Sequence, residues 1–177
     1  MKTTALPDDI ITEKDFLALV HRSKGIITKI CWYYAHDAAE YEDLRQDVLA
    51  AMWYARSSFR GEAAPSSWVY RVALNTCISA LRREKRRGER VALENMPEMA
   101  AEESAALERY REMHALIDRL RSDDKAIILL WLDDLPYEEI AAITGMPRNT
   151  LATRLRRIKQ RLVESSRKSA FLKISGP

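Results

Sequence analysis

Glycine and proline are scarce in this 177-residue chain, with 5 Gly and 6 Pro, and the glycines lie far apart. Folds with many tight-turned strands need more of both. No stretch of useful length alternates apolar with polar residues, so the scarcity argues for helices. Cysteine is nearly missing as well. Cys31 and Cys77 sit inside apolar helical runs, neither in a CxxC pair, which reads as buried thiols in a reducing compartment and not as a disulfide scaffold. His21, His36 and His114 are scattered without metal-ligand spacing, so no metal is expected. There is no Ser/His/Asp set, no phosphate-cradling glycine loop and no paired histidine motif, so no catalytic residue, enzymatic activity or cofactor is expected. No apolar run reaches the roughly 20 residues that span a bilayer. The N-terminal MKTTALPDDII lacks the apolar core of a signal peptide. These absences lead us to expect a cytoplasmic protein with no membrane contact of its own.

What is present is core-forming material and unevenly placed charge. Hydrophobic residues make up 47% and charged residues 31%, enough for a buried core under a solvated surface. The formal net charge is only +3, but residues 82–90, RREKRRGER, carry six basic and two acidic groups. Residues 148–168 carry eight basic groups and one acid, whereas residues 94–112 carry six acids and two arginines. Two basic blocks separated by an acidic one suggest two contacts with a polyanion, against the plainer reading of charge segregated for solubility.

The most informative stretch is 137–161, YEEIAAITGMPRNTLATRLRRIKQR. Ile140, Ala141 and Ile143 give a short helix its apolar face. Gly145 stands where the chain must turn and φ > 0 costs least, and Pro147 suits the first turn of a second helix. Leu151, Leu155, Ile158 and Leu162 recur at spacings of four, three and four and make one buried stripe. Thr150, Thr153, Arg154, Arg157 and Arg161 lie off it. This is the pattern of a helix-turn-helix whose second helix enters the DNA major groove. An ordinary helical hairpin with a basic solvated face fits the same residues.

Helices are expected over about 12–35, with a junction at Gly25, then over 38–56 and 66–87, with Gly88 as the stop. The stretch 57–65, SSFRGEAAP, reads as a loop. Residues 89–103 lack an apolar period and read as a flexible linker. Helices resume at about 104–121, 123–133, 137–144 and 147–166, with Ser122 as an N-cap before Asp123 and Asp124 and a frayed FLKISGP tail. The expected fold is all-α, with two small helical domains, 12–88 and 104–166, joined by that linker.

Nine of the 14 aromatic residues fall between positions 32 and 70, interleaved with Arg56, Arg60 and Arg71. Rings beside cations suit unstacked bases, and rings also fill cores. Trp32 and Tyr41 fit the core, while Phe59 and Trp68, flanking the loop, fit contact. Leu44, Val48, Ala51 and Ala55 give the second helix its apolar face. Asn75 stands one turn after Arg71 on a stripe continued by Ser79, Arg82 and Arg86, where an amide can meet a base edge while arginines hold phosphate. In DLRQDVL, Asp43, Gln46 and Asp47 lie opposite Leu44 and Val48. That acidic patch is either a protein-docking surface or plain solvated surface.

In this order, these segments resemble the bacterial sigma factors of the extracytoplasmic-function (ECF) group, over roughly residues 12–165. DLRQDVL through LRREKRR is similar to the family's second conserved region. The resemblance implies that Asp43, Leu44, Gln46 and Asp47 bind core RNA polymerase (its β′ and β subunits). It further implies that Phe59, Arg60, Gly61, Trp68, Arg71 and Asn75, with Arg82 and Arg86, meet single-stranded DNA of the minus-ten element. LIDRL through KQRL is similar to the fourth region. There Arg148, Asn149, Thr150, Thr153, Arg154 and Arg157 would read the duplex minus-thirty-five element. The chain departs from the family pattern at Pro65, where an aromatic is common, and at Pro136 and Pro147, where serine-like caps are usual. The resemblance implies an alternative sigma factor that directs promoter recognition and opening, with an anti-sigma factor as a further partner. Two rivals stand beside it. A homodimeric helix-turn-helix repressor or activator accounts for 137–161 but for neither the aromatic loop nor DLRQD. An adaptor that binds a regulator through the same surfaces would not bind DNA at all.

Overall fold

A computed structural model describes residues 12–59, 64–87 and 105–174, and among these every regular element is helical. The chain divides into two compact units, Met1–Pro97 and Glu98–Pro177. The expected stop at Gly88 and the expected linker 89–103 lie outside the described residues.

In the first unit α1 (Glu13–Arg22) begins at Thr12, whose side chain accepts from the Asp15 amide at 3.2 Å. Acids in its first turn and His21 and Arg22 in its last complement the helix dipole. The break before α2 (Lys24–Tyr34) falls at buried Ser23, not at Gly25. Gly25 lies inside α2 without a positive φ. One glycine costs a helix only about 1 kcal/mol, which a packed neighbourhood absorbs.

Helix α2 is buried at Ile27 and from Ile30 through its last residue Tyr34, and the burial continues into Ala35. It packs on α3 (Ala38–Ala55) and on α4 (Pro65–Arg87), which also pack on each other. Asp37 caps α3 by accepting from the Glu40 amide at 2.8 Å, and the Glu40 carboxylate accepts from the His36 amide at 2.6 Å. This is a reciprocal cap of the kind that fixes a helix start. The buried face of α3 is Leu44, Val48 and Met52, with Ala51 and Ala55 only half-buried. The longer methionine fills the gap that alanine cannot. Trp32 is buried as expected, whereas Tyr41 is half-buried. A short 3-10 turn, Arg56–Ser58, ends α3, and Pro65 opens α4 where its missing N–H has no partner to lose. Cys31 and Cys77 meet in the core. That contact and burial push the Cys77 thiol far above its usual range.

The second unit holds α5 (Ala105–Asp118), α6 (Ser122–Leu132), α7 (Tyr137–Thr144) and α8 (Arg148–Ile174). Helix α6 is buried continuously from Asp124 to Leu130. Ser122 is its first helical residue and Arg121 takes the cap position, one residue earlier than expected. The acids Asp123 and Asp124 do fall in the first turn. Lys125, 3% exposed, donates to Asp118 at 2.8 Å and so ties α6 to the end of α5. Helix α7 starts after Pro136, whose carbonyl accepts from Ile140, and α8 starts after Pro147, whose carbonyl accepts from Leu151. Both prolines therefore sit at cap positions, one place before the first turn. Ile140 and Ile143 face inward, as do Leu151, Leu155 and Ile158, with Ala141 and Leu162 half-buried. Helix α8 runs through the expected tail to Ile174, because residues 163–174 contain neither glycine nor proline to stop it. No helix among the described residues is long and apolar enough to cross a membrane.

Gly145 closes α7 at φ +71°, and nothing lies within 4 Å of where a Cβ would stand. Gly145→Ala should therefore lose only the left-handed backbone preference, about 1–2 kcal/mol. Gly145→Asn should lose less. Urea unfolding of the full chain measures both, and an alanine variant as stable as the wild type would contradict the assignment of cost to φ.

Candidate nucleic-acid interface

The stripe Leu151, Leu155, Ile158 fixes which way α8 faces. With those three turned into the unit, Arg148, Asn149, Thr150, Thr153 and Arg157 are exposed, as their positions off the stripe require. Arg148 pairs with Glu138 of α7 at 2.6 Å on the surface. A hydrogen bond from its own amide, then Arg148, holds the Glu138 carboxyl below its usual range. The Thr153 hydroxyl donates to the Asn149 carbonyl at 3.1 Å. Arg157 makes no hydrogen bond or ion pair with another described residue. An open cleft of about 680 Å³ lies beside this face, lined by Arg121, Arg157 and Arg161 among others.

Arg154 departs from expectation. It lies off the apolar stripe, yet its guanidinium is turned back into the unit. Nε donates to Asp124 of α6 at 2.6 Å, Nη2 lies 3.9 Å from Asp123 and Nη1 donates to the Met146 sulfur at 3.8 Å. A group so engaged ties α8 to α6.

In the first unit, Arg71, Asn75, Ser79, Arg82 and Arg86 are all exposed along α4, as the expected stripe requires. The Arg86 Nε donates back to the Arg82 carbonyl at 3.2 Å. Phe59 is half-exposed at the loop. Trp68 is only 7% exposed and meets Phe59 edge-on, with centroids 5.5 Å apart. So placed, it supports Phe59 and offers little of its own surface. Arg60 and Gly61 lie outside the described residues.

On α3, Asp43, Gln46 and Asp47 are exposed, with Asp47 3.6 Å from Arg83 of α4. Leu44 is 3% exposed. It is packed in the core and orients the exposed residues around it. The same face contains a residue the sequence reading passed over. Tyr54 is 79% exposed and follows Asp43, Asp47 and Ala50 at steps of four, three and four. That spacing was available in the sequence, but an aromatic amid core aromatics looked like core.

The fold also gathers residues that have no ligand spacing along the chain. Ligand atoms of His36, Glu40 and Glu84 all lie within 4.8 Å of one another, the arrangement among the described residues that could hold a metal ion. Glu40 already accepts from the His36 amide, so its first use is the α3 cap.

Two helical units, one a helix-turn-helix with an exposed polar and basic face and the other carrying its own basic helix, define a two-module DNA-binding architecture. Residues 19–87 match sigma-70 region 2, and residues 110–162 match sigma-70 region 4. The chain is 30% identical over 165 residues to the ECF RNA polymerase sigma-E factor of Escherichia coli, covering 84% of each. It is 29% identical over 162 residues to the RNA polymerase sigma-H factor of Pseudomonas aeruginosa, covering 82% of each. Among solved structures it resembles the sigma factor RpoE of Bartonella quintana, crystallised with the anti-sigma factor NepR. The TM-score is 0.69 at 22% identity, over 85% of this chain and 96% of that one. It also resembles CnrH, solved with the cytosolic domain of CnrY, with a TM-score of 0.63 at 20% identity, over 93% and 92% of the two chains. The chain belongs to the sigma-70 family, in its ECF group. It is a sigma factor, directing transcription initiation with core RNA polymerase at promoter DNA.

The α3 cap has a pH signature. Burial, with Glu84 and Asp37 adding to it, holds the Glu40 carboxyl above its usual range against the opposing pull of the His36 amide and imidazole. The folded state therefore disfavours the charged form. The group's contribution to stability is present below the unfolded value and is lost as pH rises through the folded one. Glu40→Gln keeps an acceptor for the His36 amide and removes that loss. Its melting temperature should equal or exceed that of the wild type at neutral pH, the gap closing toward about pH 4. Paired thermal melts across this range test it, and a variant destabilised only at neutral pH would reverse the sign.

Proposed function

We propose that the two units divide promoter recognition between strand capture and duplex reading, and that a separate face of the first unit holds the polymerase. Asp43, Gln46 and Asp47 on α3, with Tyr54 beside them, form the docking surface for core polymerase. Leu44 sets that surface from behind. Phe59 with Arg60 and Gly61 next to it in sequence, and Arg71, Asn75, Arg82 and Arg86 on α4, capture the non-template strand of the minus-ten element. Arg148, Asn149, Thr150, Thr153 and Arg157 read the minus-thirty-five duplex. The working segments are 12–88 and 104–166 with 89–103 between them, the second carried on by α8 to Ile174.

The observation that carries this reading is the division of exposed side chains by face. The acidic and polar set on α3 is exposed around a buried Leu44, while the amide and arginine stripe is exposed on α4 of the same unit. A homodimeric helix-turn-helix repressor would use α7 and α8 and leave both of these faces idle.

Opening is driven by binding alone, with no catalytic step. Stacking and pocket contacts, each worth about 1–3 kcal/mol per base, offset an unstacking cost of a few kcal/mol. An anti-sigma factor is a further partner. The support is that both structural neighbours were solved with another protein bound, NepR in one case and the cytosolic domain of CnrY in the other.

Two experiments follow from this division. Gln46→Ala with Asp47→Ala should weaken core polymerase binding in a titration while circular dichroism stays unchanged, because neither side chain enters the core. Undiminished affinity would remove the α3 assignment. Asn75→Ala should leave upstream duplex binding intact and impair open-complex formation by the holoenzyme, read by permanganate reactivity of thymines near the start site. A premelted bubble template should rescue it in part. Asn75 is the cleaner probe than Trp68, whose removal would also hollow the core at about 3–5 kcal/mol. Wild-type opening on linear promoter DNA would end the strand-capture assignment for α4.

A further inference from the structure

Asp124 is a buried anion at the back of a cationic cleft. It stands in the first turn of α6, 4% exposed, where the helix dipole favours negative charge. Both carboxylate oxygens face α8. Oδ1 accepts from Arg154 Nε at 2.6 Å and Oδ2 from Arg161 Nη1 at 3.4 Å. Arg154 is further held by Asp123 and Met146, so each of its three nitrogens has a partner inside the unit. Arg157 lies between the two on the same helix, exposed, with no hydrogen bond or ion pair to another described residue.

Phosphate contacts supply affinity that is indifferent to sequence, and base edges supply discrimination. A cation already paired with a buried carboxylate cannot move to a phosphate without leaving that carboxylate alone in a low-dielectric site, which is costly. We infer that Asp124 is a specificity determinant. It withholds Arg154, and in part the more exposed Arg161, from the DNA backbone, so that α8 meets duplex through Arg148, Arg157 and the short polar side chains of its first turns. The inference rests on the reading that α8 docks on duplex DNA.

The test uses the full chain, a short mixed-sequence duplex and a promoter duplex, with binding read by fluorescence anisotropy across a salt series. Asp124→Asn keeps the shape and removes the charge. It should bind the mixed-sequence duplex more tightly than wild type, with a salt slope steeper by up to about 0.9 for each arginine released. Its preference for the promoter duplex should fall. A merely structural role for the pair predicts weaker binding, so a folded Asp124→Asn variant with an unchanged or shallower slope overturns the inference.

A comparison of arginines decides the matter where Asp124→Asn does not fold, each arginine variant being first shown by circular dichroism to keep the wild-type helix content. Arg157→Gln should make the slope shallower by about 0.9, while Arg154→Gln should leave it unchanged. Equal losses from the two overturn the inference and leave α8 docking in place. No change from either overturns the docking reading and the inference with it.

Discussion

The second unit is organised around α6, a helix buried from Asp124 to Leu130 that nevertheless carries two charges into the interior. A buried charge persists only where it is paired, and removing one partner of such a pair typically costs about 3–5 kcal/mol. Each charge finds its partner on a different helix. Lys125 reaches back to Asp118 on α5, and Asp124 reaches across to Arg154 and Arg161 on α8. The apolar residues between them supply the non-directional attraction that brings the helices together. The two ionic contacts are directional and favour one rotation and register of the neighbouring helices over others. The exposed face of α8 follows from that rotation. Once Leu151, Leu155 and Ile158 point at α6 and α7, only Arg148, Asn149, Thr150, Thr153 and Arg157 of the expected reading set remain outward.

The first unit meets a different constraint, because α3 and α4 must each serve the core and a surface. Helix α2 makes this possible by being buried at Ile27 and from Ile30 through Tyr34, leaving each neighbour one outer face. An ion pair between those helices, Asp47 with Arg83, spans the surface at 3.6 Å with both side chains more than half exposed. Pairs of that kind contribute about 0–1 kcal/mol. Either side chain can exchange its partner for a group on another molecule at little cost to the fold. The buried contacts of Leu44 and Trp68 cannot be exchanged in this way, which is why they support the surfaces.

Much of this was legible along the chain, and what was not has a common physical cause. The bounds 137–144 of α7, the left-handed Gly145 and the inward stripe of α8 followed from period and turn chemistry, which are local. The α4 stripe followed in the same way. Three of the expected contact residues are engaged within the fold by something the sequence does not show, a neighbour across space. Leu44 belonged to a recognisable motif, but it faces the core in which α3 packs on α2 and α4. Trp68 stood next to a loop, but it lies under Phe59. Arg154 was correctly placed off the apolar stripe, yet its partner Asp124 is 30 residues away in sequence and on another helix. Periodicity identifies the face of a helix and says nothing of what stands opposite. The break at Ser23 in place of Gly25 is the converse case, in which a strong local signal was overridden by packing.

The same accounting changes how the basic block 148–168 is understood. Read as a string, it carries a net +7 and suggests a strong polyanion clamp. In the fold, Arg148 is paired with Glu138, Arg154 and Arg161 share Asp124, and Lys159 lies 4.5 Å from the Trp131 ring centroid. Arg156, Arg157 and Arg167 make no such contact with another described residue. The phosphate affinity of a helix scales with the cations it can offer, each contributing roughly −0.9 to the salt slope. With Arg154 and Arg161 held by buried Asp124, α8 would offer fewer cations to random duplex than its net +7 implies, and depend correspondingly more on base-edge contacts. On this reading the acids opposite α8 are part of the recognition surface, acting through the arginines they hold back.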